Sequence, residues 1–237
     1  MTVHKPFVIT IVGAESSGKT SLARRLAEEL DCPWVPEYAR EYLEGLGRAY
    51  NEADLGIIAA RQWEEILGVV NRESSGVSSE LSVVSGKSTT KNRQSAIGNR
   101  QSKESDPTIE LKDVIKLIKS SIVNRHSSIV IVDGGMMNLR MWASIKYKMT
   151  IPVVEEALEN DVTDLYLLCR PLKAWTPDPL REAPSIIDRV WIYNQYLEEL
   201  IRSGKRVEMI DGGENEKPER ALQIIASSFD DVILPVK

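Results

Sequence analysis

Gly13-Ala14-Glu15-Ser16-Ser17-Gly18-Lys19-Thr20 is the stretch whose residue types and spacing carry the most specific chemistry. It reads G-x-x-x-x-G-K-[ST], the P-loop pattern of a backbone that cradles phosphates. Glycines let the chain curl until consecutive N–H groups point at an anion. A lysine reaches the β- and γ-phosphates as a mobile point charge, and the hydroxyl beside it ligates Mg²⁺. Gly13, Glu15, Ser16, Ser17, Gly18, Lys19, Thr20 and Ser21 are therefore expected around a polyphosphate, with ATP and Mg²⁺ as cofactors.

Other residues fall into place around that loop. Ile129-Val130-Ile131-Val132 reads as a buried strand that ends in Asp133. A carboxylate at the carboxyl end of a strand stands where open α/β sheets place ligands, and would hold the metal opposite Thr20. The alternative is an Asp that caps a turn, helped by Gly134-Gly135. Glu37 and Arg40 follow a short extended piece, Trp34-Val35-Pro36. A carboxylate there orients or deprotonates an attacking hydroxyl, and ordinary helix-surface charge is the competing account. Trp34, Trp142 and Tyr147 are candidates for stacking on an aromatic base, against plain core packing. Trp175-Thr176-Pro177-Asp178-Pro179-Leu180-Arg181-Glu182 is a stiff segment whose Arg181 suits a lid over the transferring phosphoryl group, with Asp178 on the substrate side.

The elements that must position these groups are legible from periodicity. Phe7-Val8-Ile9-Thr10-Ile11-Val12 is apolar and β-branched, a buried strand entering the loop. Leu22, Ala23, Leu26, Ala27 and Leu30 share one face of the helix leaving it. Further helices are expected over 37–43, from about Ala53 to Val70, around Leu111–Ile122, over 186–202 and over 218–228. Further strands are expected at 164–169 and 207–210. Strands alternating with helices imply an α/β P-loop NTPase fold: a mostly parallel sheet, helices on both faces, and a small lid.

At 237 residues one domain is the expectation, interrupted at about 72–107 by a polar, aperiodic stretch that reads as a disordered insertion. Its Asn92-Arg93-Gln94-Ser95 recurs as Asn99-Arg100-Gln101-Ser102, with polar repeated positions and so no coiled-coil seam. A net charge of −5 argues against a general nucleic-acid surface. No apolar run approaches a membrane span, and Met1–Pro6 does not read as a signal peptide. Cys32 and Cys169 stand alone, as reduced thiols in a cytoplasm do, and His4 and His126 form no cluster.

The run 13–23, then Trp34-Val35-Pro36-Glu37-Tyr38-Ala39-Arg40-Glu41-Tyr42, Asp164-Leu165-Tyr166-Leu167-Leu168-Cys169 and the Trp175–Glu182 segment resemble the ribosylnicotinamide kinase domain of bacterial NAD-salvage proteins. That domain is an AAA-like P-loop module, often joined to an adenylyltransferase for which this chain offers no room. The resemblance implies transfer of phosphate from ATP to the 5′-hydroxyl of nicotinamide riboside. The chain also departs from the family. Where the family has D-T-[DE] and then W-S-E-x-x-Y-G, this sequence has Asp133-Gly134-Gly135 and Trp142-Ala143-Ser144-Ile145-Lys146-Tyr147-Lys148. The missing acids favour a second account, a nucleotide-binding regulatory ATPase without nucleoside kinase activity. A nucleic-acid-linked ATPase rests only on the basic residues between Lys87 and Lys103.

Overall fold

The computed structural model describes residues 5–75, 111–125, 128–175 and 183–230. Five strands form one sheet: β1 (Phe7–Val12), β2 (Trp34–Val35), β3 (Ile129–Asp133), β4 (Leu165–Cys169) and β5 (Val207–Ile210). Their order is β2-β3-β1-β4-β5 and every pairing is parallel. The near-continuous apolar character of β1, β3 and β4 follows from this, because helices cover both faces.

Strict alternation divides the core. Ile9, Ile11, Ile129, Ile131, Leu165, Leu167 and Cys169 face one way. They meet α1 (Lys19–Leu30), α4 (Leu111–Arg125) and α8 (Lys217–Asp230) through Leu22, Leu26, Ile118, Leu222 and Ile225. Val8, Val130 and Val132 face the other way, onto α3 (Glu52–Ser74), α5 (Gly135–Trp142) and α6 (Pro152–Glu159). On that same side Val12, Tyr166 and Leu168 pack against Tyr193, Tyr196 and Leu200 of α7 (Ile186–Arg202). Cys32 and Cys169 are free, and burial pushes their thiols up to about 12 and about 11.

The structure differs from the sequence expectation in two places. The third helix continues to Ser74, into the stretch read as the insertion; residues 76–110 lie outside the described residues. That helix also has a full capping box. The Asn51 side chain accepts from the Ala53 and Asp54 amides, and Asp54 accepts from the Asn51 amide at 2.7 Å. Between β3 and β4, where no helix is expected, lie α5, a π-helical turn (Ala143–Tyr147) and α6. Met136, Met137, Asn138, Leu139 and Met141 of α5 are all buried, so no polar face marks the helix in the sequence. Among the described residues no helix is long and apolar enough to cross a membrane.

Candidate active site

The loop between β1 and α1 lies at the carboxyl edge of the sheet, flanked by the ends of β3 and β4. Gly13 is obligatory there. Its φ is +143°, and a Cβ would stand 2.6 Å from the Cys169 carbonyl oxygen. Ser16 and Gly18 also take positive φ, which bends the chain around its own amides. Lys19 opens α1, and its Nζ donates to the Ala14 carbonyl at 3.1 Å, folded over the loop it is expected to leave for a phosphate. Outer contacts fix the loop from behind. The Leu172 amide donates to the Ser16 carbonyl at 3.0 Å, and the Ala183 amide donates to Glu15 Oε2 at 3.0 Å.

Asp133 ends β3 with 1% of its surface exposed, and neither carboxylate oxygen has a hydrogen-bond partner of ordinary geometry among the described residues. Burial, and then the charge of Glu37, push its carboxyl up to about 6, while the nearby Thr20 hydroxyl, Lys19 and Arg24 favour the charged form. A buried, orphaned carboxylate beside a hydroxyl has the hard-oxygen chemistry that Mg²⁺ requires, so these residues fit the implied ion. Among the described residues no group of three or more His, Cys, Asp or Glu side chains gathers as a metal cage.

Glu37 precedes α2 (Tyr38–Gly45) and is held from the opposite side. Asn138 Nδ2 donates to Glu37 Oε1 at 3.1 Å, and Tyr196 OH donates to Asn138 Oδ1 at 2.9 Å. Burial pushes the Tyr196 hydroxyl far above the usual phenol range, so it remains a donor and fixes which end of the amide faces Glu37. This contact exists because Gly134 lacks a side chain. At its φ of +79° a Cβ would lie 2.6 Å from Asn138 Nδ2 and 3.1 Å from Glu37 Oε1. Gly135 also has a positive φ, +59°, and its Cβ would make a tight contact with Thr10 Cγ2 at 3.2 Å. Gly134 and Gly135, where the sequence has neither residue of the D-T-[DE] pattern after its Asp133, thus carry a backbone turn suited to glycine.

Lys19, Thr20, Glu37 and Asp133 therefore come together, with Arg24 added. Trp142 lies one turn beyond Asn138 on α5. Its indole N–H donates to Tyr50 OH at 3.1 Å, its ring meets Tyr50 edge-on at 5.0 Å, and Tyr147 joins the same cluster. For Trp34 the structure shows the packing that is the alternative to base stacking. Strand alternation turns it to the α1 and α4 face, where it packs against the core under Arg24. Arg40 is exposed on α2 and pairs with Glu44 at 3.4 Å. Ser21 is exposed in the first turn of α1. Asp178 and Arg181 lie outside the described residues. Four residues with buried polar roles carry no sequence signal: Asn138, Tyr196, Arg189 and Lys217. Arg189 is 1% exposed and donates to the carbonyls of Leu172 and Pro184, at 3.0 and 3.1 Å.

A protein-family model described as an AAA domain matches residues 8–67 and 86–217. The chain belongs to this AAA-domain family. No curated protein sequence matches it. Among solved structures, this AAA domain is similar to the NadR protein in complex with NR, at 18% identity and a TM-score of 0.61, over 99% of this chain and 54% of that one. It is likewise similar to the NadR protein in complex with NAD and AMP-PNP, at 17% identity and a TM-score of 0.60, over 98% of this chain and 51% of that one. The AAA domain thus spans about half the length of the NadR chains it matches. At these identities the likeness is one of fold: the parallel P-loop sheet is common to both, as the sequence resemblance implies.

Proposed function

We propose that this AAA domain is an ATP-dependent small-molecule kinase whose acceptor is a nucleoside, nicotinamide riboside or a close relative. The observation that carries this reading is the proximity of two acidic groups, Asp133 at the end of β3 and Glu37 close enough to raise its pKa. Asp133 is buried and unpartnered beside Thr20 and Lys19, while Glu37 is held by an amide whose orientation Tyr196 sets. A site that only binds a triphosphate needs the first group; a site that transfers phosphate to a hydroxyl also needs the second.

Each residue has a task of binding or orientation. The amides of the loop and Lys19 hold the β- and γ-phosphates, Lys19 leaving the Ala14 carbonyl to do so. Thr20 and Asp133 would hold Mg²⁺, which when bound offsets the charge of the phosphate oxygens. Glu37, fixed by Asn138, accepts a hydrogen bond from the acceptor hydroxyl and aims it at the γ-phosphorus. Trp142, Tyr50 and Tyr147, on the same side as Asn138, supply an aromatic surface suited to the acceptor's ring. This assignment agrees with the NR bound by the NadR protein, and rests on that chain's likeness in fold alone.

The test is phosphoryl transfer from labelled ATP, with Mg²⁺, to nicotinamide riboside and a panel of nucleosides. Transfer to one member, abolished by Lys19→Ala, is expected. A chain that binds ATP·Mg²⁺ and labels none of the panel is the regulatory ATPase of the second reading, which the Gly135 turn favours because no acid stands there.

A further inference from the structure

Lys217 is a lysine in a place that ordinary helix electrostatics disfavours. It is the first residue of α8, where a cation opposes the helix dipole, and it is 1% exposed. Its ammonium points out of the helix and donates to two backbone carbonyls: Ser17 at 2.6 Å and Arg170 at 2.7 Å. One is in the phosphate loop, and the other directly follows β4. Neither the proposed transfer nor the core packing uses this charge, and burying an ammonium is costly unless something is gained from it. Burial, accordingly, lowers its pKa from the usual lysine value.

The gain follows from the geometry of a peptide group. In a trans peptide the C=O and the next N–H point in opposite directions. The Ser17 carbonyl belongs to the same peptide as the Gly18 amide, and the Ser16 carbonyl to the same peptide as the Ser17 amide. The first is held by Lys217 and the second by the Leu172 amide at 3.0 Å. Two consecutive carbonyls are thus drawn to the rear of the loop, and two consecutive amides must turn to its front. The positive φ values of Ser16 and Gly18 are the bends this alternation requires. An ammonium behind the loop also adds positive potential beneath the anion and polarises the peptide it holds.

We propose that Lys217 is a positioning residue of the phosphate site, holding the Ser17–Gly18 peptide so that its amide faces the polyphosphate, and tying that peptide to the end of β4. The proposal rests on the reading of residues 13–20 as a phosphate loop. Its test uses the full chain with Lys217→Met, which keeps the stem and removes the donors. Affinity for ATP·Mg²⁺ and for tripolyphosphate is measured by calorimetry, and KM for ATP and for the acceptor is measured separately. The expected result is a weakening of both phosphate ligands on the order of tenfold, with KM for ATP rising and KM for the acceptor unchanged. A purely structural role would lower the melting temperature and leave the affinity of the folded chain intact. Wild-type affinity in Lys217→Met therefore overturns the proposal, whatever the melting temperature. If that variant does not fold, Lys217→Gln takes its place. Its shorter amide cannot serve both carbonyls, so weakened ATP·Mg²⁺ binding supports the proposal and wild-type binding overturns it. A wild-type chain that binds neither ATP·Mg²⁺ nor tripolyphosphate removes the phosphate-loop reading itself, a result distinguishable from the failure of Lys217 alone.

Discussion

Substituting Gly135→Asp restores the second acid of the family pattern, and the structure says that it will damage the protein rather than improve it. Gly135 is buried at φ +59°, a conformation that costs an ordinary residue about 1–2 kcal/mol. The new Cβ would lie 3.2 Å from Thr10 Cγ2 and 3.4 Å from Val132 Cγ1, both in β strands that cannot move freely. Such overpacking costs roughly 1–3 kcal/mol. The sum, about 2–5 kcal/mol, takes a large share of the roughly 5–15 kcal/mol that holds a typical domain together. At about 2–4 °C per kcal/mol for a chain of this size, the melting temperature should fall by roughly 4–20 °C. Scanning calorimetry or fluorescence melts of wild type, Gly135→Ala and Gly135→Asp measure this directly. Gly135→Ala should already show most of the loss, since strain and contact begin at Cβ. Repeating the melts with ATP·Mg²⁺ separates strain from ligation. A Gly135→Asp chain that melts with wild type, or that ATP·Mg²⁺ stabilises more than it does wild type and that transfers phosphate faster than wild type, would refute the reasoning. The turn would then be free to accept the acid.

Asn138→Ala should lower kcat for phosphoryl transfer by about tenfold or more while leaving KM for ATP near wild type, because the amide holds Glu37 and not the phosphates. Equal loss in both parameters would remove Asn138 from the acceptor side. The Asp54 cluster predicts the acid limb of stability. The Arg48 guanidinium first, then the Asn51 amide and the Tyr42 hydroxyl, hold the Asp54 carboxyl well below the usual carboxylate range, against its burial. Because the folded value is depressed, its contribution is complete above the unfolded value near 3.9 and drains away as pH falls below that. Denaturant melts should therefore show wild type losing more stability than Asp54→Asn between pH 6 and pH 3, figures set about the unfolded carboxylate value. Parallel losses would contradict the assignment. Together with Lys19→Ala and Lys217→Met, these variants separate fold, nucleotide grip and acceptor alignment.

Much of the fold around the candidate site is legible in the sequence. The loop is contiguous, so eight neighbouring residues announce its backbone shape, with positive φ at Gly13, Ser16 and Gly18. The place of Asp133 at the end of a strand is legible because it closes an apolar run, and the parallel sheet because strands and helices alternate. The helix over 135–142 was not legible: a short helix that buries six of its eight residues has too small a polar face to show a period. The face that Trp34 takes was left open for a related reason, since two residues of strand do not say which face is which until β3 pairs with them.

What local residue order determined, then, is everything built from neighbours in the chain: the loop, its flanking strand and helix, and the acid at the end of β3. What only the tertiary structure decided is what distant residues do to one another. Glu37 meets Asn138, and Asn138 meets Tyr196, across three separate elements. Lys217 reaches Ser17 from the far end of the chain. Hydrogen bonds are short-ranged and directional, so such pairings come into being only after hydrophobic burial has set the sheet and its helices in place.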